Sequence, residues 1–341
     1  MSVTSQLKDP NSSLNRFFNM RAKSSLDPIL NQFNSVFADA GCLIFDGEID
    51  YLMSGGAFQY AHRWWLSEEM AFDNLALGAA VRLKAEEFYT ALVEYGEKHE
   101  DFRPTGSVIF YLFEQYRRTG KLDPILEGML YRHKQQPLLT GLVEEGTKIH
   151  NTIRDIELLY SSIPTVWGDL RDPNAEYIAS PTFDGSESVG GADACFIHNH
   201  VMWDIKVTKK CAPLTRELLL QQITYVMLDY SDEYEISHIA WYYPRQQRKI
   251  VVPVGRLIKD VEGLRQDWQK WHAAYSYALD VRMPNAHEDE DYFWRKVKRN
   301  YDEPDFEYDG RDEFEDYVLD DKGWPGYHRG LDYPDFPEDA F

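Results

Sequence analysis

Hydrophobic residues recur at helical spacing over most of the first 160 residues. The clearest run covers 73–98, and the same pattern predicts helices over 107–118, 124–133 and 142–160. Residues 1–27 are mostly polar and are predicted to be a flexible N-terminus. A helical N-terminal region is therefore expected over 28–139.

The hydrophobic period then changes from helical to two. Segments 177–183, 191–197 and 200–208 alternate in polarity, which predicts three successive antiparallel strands. The pattern continues as a helix over 214–230, a hairpin of 236–243 with 249–254, and a closing helix over 256–279. The predicted fold is mixed α/β, with its core over 140–284.

Two of these strands carry candidate chemistry. A tight turn at His198–Asn199 joins them, and alternation places Asp204 and Lys206 on one face of the second strand. The hairpin brings Asp193 alongside. Two carboxylates can bind Mg²⁺, and a lysine can orient a water for attack on a phosphodiester. The alternative interpretation is a surface hairpin with a cross-strand salt bridge.

Two further motifs flank the hairpin, each with residues four apart. Gly146 and His150 are predicted to share one face of the helix that enters the sheet, where the histidine can supply a nitrogen ligand. Gln221 and Tyr225 share a face of the next helix and can hydrogen-bond a phosphate or a carboxylate. A hydrogen-bonded helix histidine and ordinary helix packing are the respective alternatives.

In this order the motifs resemble the PD-(D/E)XK nuclease superfamily, specifically its RecB-like exonuclease branch, over about 144–258. The resemblance implies a restriction-endonuclease-like core using Mg²⁺ or Mn²⁺. The implied metal ligands are His150, Asp193, Asp204 and the Ile205 carbonyl. Lys206 would position the nucleophilic water, and Gln221 and Tyr225 would steady the substrate.

The chain departs from that pattern in two ways. Asp193 follows Ala192 instead of a proline, and many members of the branch carry an iron–sulfur cluster. The only cysteines are Cys42, Cys195 and Cys211, so neither an iron–sulfur cluster nor a disulfide framework is expected. The chain has no Gly-x-x-x-x-Gly-Lys-Ser/Thr motif, so a helicase motor would be a separate polypeptide.

The charge is acidic, which is unusual for a DNA-binding protein. The net charge is −21, and 301–341 contributes −12 from fifteen acids and three basic residues. DNA must therefore meet a local basic patch. The candidate basic residues are Lys206, Lys209, Lys210, Arg216, Arg245, Arg248 and Lys249.

The acidic aromatic tail, 285–341, ends at Phe341 and is predicted to be disordered alone. Its simplest roles are to solubilise the protein or to wrap its own domain. The sharper alternative is an interaction peptide that binds a protein partner or competes with DNA for the protein's own channel.

The apolar runs are too short to span a membrane and the N-terminus has no secretory pattern, so a cytoplasmic location is expected. Trp64–Trp65 is expected to pack in the core, not to stack on bases. The predicted function is Mg²⁺-dependent DNA hydrolysis, with exonuclease action in replication, recombination or defence favoured. The alternatives are a catalytically inactive nuclease-fold scaffold and an RNA-directed nuclease.

Overall fold

The computed structural model describes residues 3–21, 26–67, 74–135, 139, 141–168, 175–210 and 213–280. The helices are α1 (Val3–Lys8), α2 (Ser13–Arg21), α3 (Asp27–Ser35), α4 (Tyr51–Ser67), α5 (Asn74–Leu83), α6 (Glu86–Lys98), α7 (Arg103–Thr119), α8 (Pro124–Gln135), α9 (Lys148–Ser161), α10 (Ile163–Trp167), α11 (Arg216–Leu228), α12 (Val254–Leu257) and α13 (Val261–Asp280). The strands are β1 (Tyr177–Ala179), β2 (Phe196–His198), β3 (Val201–Ile205), β4 (His238–Tyr243) and β5 (Arg248–Pro253). The predicted mixed α/β class is confirmed.

The strands form one sheet in the order β1-β2-β3-β4-β5. Pairing is antiparallel except between β3 and β4, which run parallel from Val201 opposite His238 to Ile205 opposite Tyr242. A parallel pair needs a long crossover connection, and α11 supplies it. The predicted sequence of helix, three-stranded meander, helix, two strands and helix is therefore confirmed.

Helices cover both faces of the sheet, so alternate side chains of β3 enter two different cores. Trp203 and Ile205 pack with residues of α4, α7 and α9. Met202 packs on the opposite face with α11, α13 and the N-terminal helices. Because strand side chains alternate, Asp204 shares the face of Met202. A carboxylate therefore lies at the edge of an apolar core beneath α11.

The N-terminal segment differs from the flexible chain predicted for it. Residues 3–21 form α1 and α2, and Leu14, Phe17 and Phe18 are fully buried. The Phe17 ring lies 5.3 Å from that of Trp268 on α13, in an edge-to-face arrangement. The apolar side chains of α1 and α2 are buried or partly buried, a pattern that the high polar fraction of this segment conceals.

Several helix boundaries also differ from those predicted, and local backbone conformation explains the differences. The helix predicted over 73–98 is two helices, because Lys84 adopts a left-handed conformation (φ 53°) and Ala85 N–H bonds back to the Ala80 carbonyl. The helix predicted from 142 starts only at Lys148, where the Thr147 hydroxyl caps its first turn.

The first strands are shorter than predicted. Ser180 (φ 46°) and Gly191 (φ 108°) lie in the left-handed region and interrupt the extended chain. The hairpin turn is Asn199–His200, one residue later than predicted, because His198 pairs with Val201 and both turn residues have positive φ.

Other expectations concern burial and the chain's ends. Trp64 and Trp65 are buried, as predicted, and Cys42 and Cys195 are free thiols. Within the described ranges, no helix combines the length and apolar character needed to cross a bilayer. The acidic tail over 285–341 lies outside the described residues.

Candidate active site

Asp204 and Lys206 form the centre of the predicted site. The Lys206 ammonium lies 2.9 Å from Asp204 Oδ2, and the Asp204 side chain is only 10% exposed. This distance is short enough for a hydrogen bond, but the angle at which the ammonium approaches the oxygen is not suitable. Asp204 Oδ2 therefore has an ionic neighbour but no hydrogen-bond donor in the described part of the chain. A buried carboxylate oxygen in this state can still accept a further ligand.

Asp193 precedes β2 and lies in a single bridge with Thr182. The β2–β3 pairing ends at Phe196 opposite Trp203, three residues after Asp193. Its Oδ2 accepts a hydrogen bond from Arg118 Nη2 at 3.0 Å. The two acids thus have separate cations: Arg118 pairs with Asp193, and the lysine pairs with Asp204.

Gln221 and Tyr225 meet on α11, as their spacing predicted. Gln221 Nε2 donates to the Tyr225 hydroxyl oxygen at 2.8 Å. Burial raises the pKa of Tyr225; the bond from Gln221 opposes this, and the Asp204 and Asp193 carboxylates raise the pKa further. The hydroxyl is therefore protonated at neutral pH, close enough to both acids to sense their charge.

Cys195 is the other reactive side chain near this group. Burial raises the pKa of its thiol to about 11, Arg63 opposes the shift, and Asp204 adds to it. Because only a thiolate is strongly nucleophilic or a good metal ligand, the raised pKa of this thiol disfavours both roles at neutral pH.

His150 stands apart from the acids. Its ring Nδ1 accepts from Gly146 N–H at 3.4 Å, and its backbone N–H donates to the Thr147 hydroxyl oxygen. Gly146 lies before α9 with a φ of 77°, so the predicted shared helix face is wrong. Across the described residues, neither a hydrogen bond nor an ion pair joins His150 to Asp193 or Asp204.

No cluster of three or more His, Cys, Asp or Glu side chains arranged to hold a metal ion occurs within the described ranges. The Ile205 side chain is buried on the opposite face of β3, so only its backbone carbonyl could serve as the predicted ligand. Metal binding at this site stays a prediction.

The predicted basic patch is smaller than the sequence suggested. Arg245 is fully buried, with its two Nη atoms 2.9 and 2.6 Å from the Asp155 carboxylate oxygens. Lys249 Nζ donates to the Val166 carbonyl at 3.1 Å, and burial lowers its pKa to about 8. Exposed charge remains at Lys209 and Lys210, just beyond β3, and at Arg248, the first residue of β5.

Arg118 is the site residue that sequence reasoning missed. It occupies the last turn of α7 and lies 75 residues from Asp193 in sequence. Basic residues are common in the last turn of a helix, so its position in the sequence does not mark it. No local spacing of residues connects it to the hairpin that carries Asp193.

Comparison with known proteins adds no relative. No known protein family, no curated protein and no solved structure matches this chain. The similarity to nuclease motifs therefore stays a prediction from the sequence.

Proposed function

We propose that the protein is a metal-dependent nuclease that hydrolyses DNA phosphodiester bonds, with exonuclease action favoured. The observation that carries the proposal is the Asp204–Lys206 pair beneath α11. There a buried carboxylate oxygen without a donor lies 2.9 Å from an ammonium group. Asp193 and Asp204 both act electrostatically on Tyr225, which bonds Gln221. Each of these residues belongs to a predicted motif.

The residues fit Mg²⁺ by the chemistry of their donor atoms. Carboxylate, amide and carbonyl oxygens are the ligands that Mg²⁺ takes in proteins. Asp204 Oδ2 and Gln221 Oε1 are both buried acceptors to which no described residue donates. An unfilled buried acceptor costs about 1–3 kcal/mol, which a cation or its bound water would offset. Mn²⁺ would suit the same oxygens and tolerate the His150 nitrogen better.

The chain's own groups have distinct roles in this proposal. A bound Mg²⁺ would polarise the phosphodiester and lower the pKa of a bound water. The Lys206 side chain is 28% exposed, so its ammonium can orient a water towards the phosphorus while balancing the Asp204 charge. The protonated Tyr225 hydroxyl can donate to a phosphate oxygen, and Gln221 holds it in that orientation.

The order of elements supports a restriction-endonuclease-like core as part of the proposal. α9 precedes the antiparallel β1–β3 meander, and α11 then leads into β4, which pairs parallel to β3. This is the element order predicted for the segment that carries the motifs. The candidate residues lie on β3, just before β2, and on α11.

DNA would approach an acidic protein through local positive charge. Lys209 and Lys210 are exposed beyond the end of β3, and the Lys209 ammonium lies 4.5 Å from the ring centroid of Tyr51. These residues stand three and four positions after Lys206 along the chain, so a phosphate backbone could run from them into the site. The tail ending at Phe341 stays a proposed partner-binding peptide.

The second candidate is a nuclease-fold scaffold without catalysis. The observation that favours it is the pairing of each carboxylate with its own cation, because a structural ion pair requires no metal. Such a protein would bind DNA or a partner and leave phosphodiester bonds intact.

A substrate panel separates these functions. The purified full chain is incubated with labelled linear, circular and single-stranded DNA, and with RNA, in Mg²⁺, Mn²⁺ or EDTA. The nuclease proposal predicts shortening of linear DNA with either metal and no cleavage in EDTA. Faster cleavage of RNA would assign the RNA-directed alternative. DNA binding without cleavage of any substrate would support the scaffold.

A further inference from the structure

Arg118 connects the helical N-terminal region to the candidate site. Its Nε donates to Glu114 Oε1 at 2.6 Å, and its Nη2 donates to Asp193 Oδ2 at 3.0 Å. The Tyr60 hydroxyl donates to the other oxygen of Glu114 at 2.8 Å. Glu114 therefore anchors the guanidinium through Nε, while Nη2 contacts the candidate site through Asp193.

The ion pair places a cation on the carboxylate that the proposed metal needs. The Asp193 oxygen that accepts from Arg118 keeps a second lone pair, so a cation could still reach the carboxylate. A cation bound there would withdraw the negative charge that holds the guanidinium, and the arginine contact withdraws charge that the cation needs. Coordination by Asp193 and the arginine contact therefore weaken each other. A divalent cation at Asp193 would release the Arg118 guanidinium from that carboxylate. The guanidinium would then lie a short distance from the reacting phosphodiester.

A freed guanidinium in this position is suited to a phosphate. Its planar fork of N–H donors matches two phosphate oxygens, which a lysine ammonium cannot do. The Arg118 side chain is 42% exposed, and that of Asp193 is 41% exposed, so the space beside the pair is open to a ligand. The Glu114 contact keeps the arginine aligned while its other contact changes.

We propose that Arg118 is a phosphate-binding residue of this site, held on Asp193 until a divalent cation takes that carboxylate. This inference rests on the proposed nuclease function. It links metal binding to substrate binding, because the cation that occupies the acids also releases the arginine for DNA.

The test compares Arg118→Ala with the matched control Arg117→Ala, a neighbouring exposed arginine on the same turn of α7. Mn²⁺ binding to the full chain without DNA is measured by calorimetry. Arg118→Ala should bind Mn²⁺ about two- to fivefold more tightly, the range that corresponds to losing an exposed ion pair. With a short labelled DNA duplex, KM should rise about tenfold because a charged phosphate contact is lost. Arg117→Ala should change neither quantity.

The double variant Arg118→Ala with Asp193→Asn tests direct competition. If Arg118 acts through Asp193, its removal no longer tightens Mn²⁺ binding once Asp193 is replaced. If removing Arg118 tightens Mn²⁺ binding equally in the Asp193→Asn protein, the arginine acts only through its long-range charge, and the proposal is overturned. Unchanged Mn²⁺ affinity and KM in Arg118→Ala would also overturn it, with the nuclease function left standing. Failure of the wild-type chain to bind Mn²⁺ would remove both.

Discussion

Replacing Asp155 with asparagine should strongly destabilise the protein, because it would leave Arg245 charged and unpaired in the interior. Both side chains of this ion pair are 0% exposed. Asp155 also accepts from the Ser54 hydroxyl at 2.5 Å, and Arg245 donates to the Leu43 carbonyl at 3.1 Å. The pair thus ties α9 to α4, to the β4–β5 turn and to the segment before α4.

The magnitude follows from the difference between breaking and replacing a buried pair. Removing one partner costs about 3–5 kcal/mol, because the remaining charge is buried without compensation. Replacing both by apolar residues, as in Asp155→Leu with Arg245→Met, should recover most of that loss. The neighbouring pair Arg154–Glu157 on α9 lies at the surface, with side chains 57% and 33% exposed, so Glu157→Gln should cost less than about 1 kcal/mol.

Urea unfolding of wild type, Asp155→Asn, the double variant and Glu157→Gln measures these differences. Equal slopes of the four transitions would show that the unfolded states are alike. Asp155→Asn should lower the midpoint far more than Glu157→Gln does. Equal midpoints for these two variants would refute the structural role of the pair. Arg245 would then return to the set of basic residues available to DNA.

Three further predictions concern pH, metal and charge. His62 is fully buried and burial, with smaller contributions from His198 and Arg63, lowers its pKa to about 3 from 6.5. The stability gained by keeping His62 neutral is fully present above pH 6.5 and is lost as the pH falls towards 3, a change of about 5 kcal/mol in the free energy of unfolding. In His62→Leu the free energy of unfolding, measured in urea, should depend less steeply on pH. A pH dependence equal to that of wild type would contradict this prediction. His150→Ala should weaken Mn²⁺ affinity without lowering the melting temperature, since a nitrogen ligand favours Mn²⁺ over Mg²⁺; an unchanged Mn²⁺ titration would assign the residue to helix structure. Truncation after Asn300 should raise DNA affinity at low salt, with the gain shrinking as salt screens the charge; equal affinities across a salt series would exclude the competitor role of the tail.

The sheet and the central helices could be predicted because their signals are local. The long apolar pattern of β4 and β5, and the four-residue spacing of Gln221 and Tyr225, each lie within one element. Asp204 and Lys206 were similarly visible from strand alternation alone. Where the hydrophobic period is clear over enough residues, the sequence predicts both the type of element and which of its faces is buried.

The errors arise where distant residues decide the outcome. Arg245 lies in a basic turn that looks exposed, yet its partner Asp155 is 90 residues upstream. The pairing of Asp193 with Arg118 crosses 75 residues. The N-terminal helices are stabilised by burial of Phe17 against α13, at the other end of the described chain. None of these contacts leaves a periodic signal in the sequence.

The most direct test of the proposed nuclease site is the rate at which Asp204→Asn degrades end-labelled linear DNA in Mg²⁺, beside wild type and Glu157→Gln purified identically. Loss of a buried ligand carboxylate should reduce cleavage at least about a hundredfold, because the bound cation and its activated water are lost together. The melting temperature should stay close to that of wild type, and Glu157→Gln should cleave normally. Degradation by Asp204→Asn at the wild-type rate would contradict the assignment of the site.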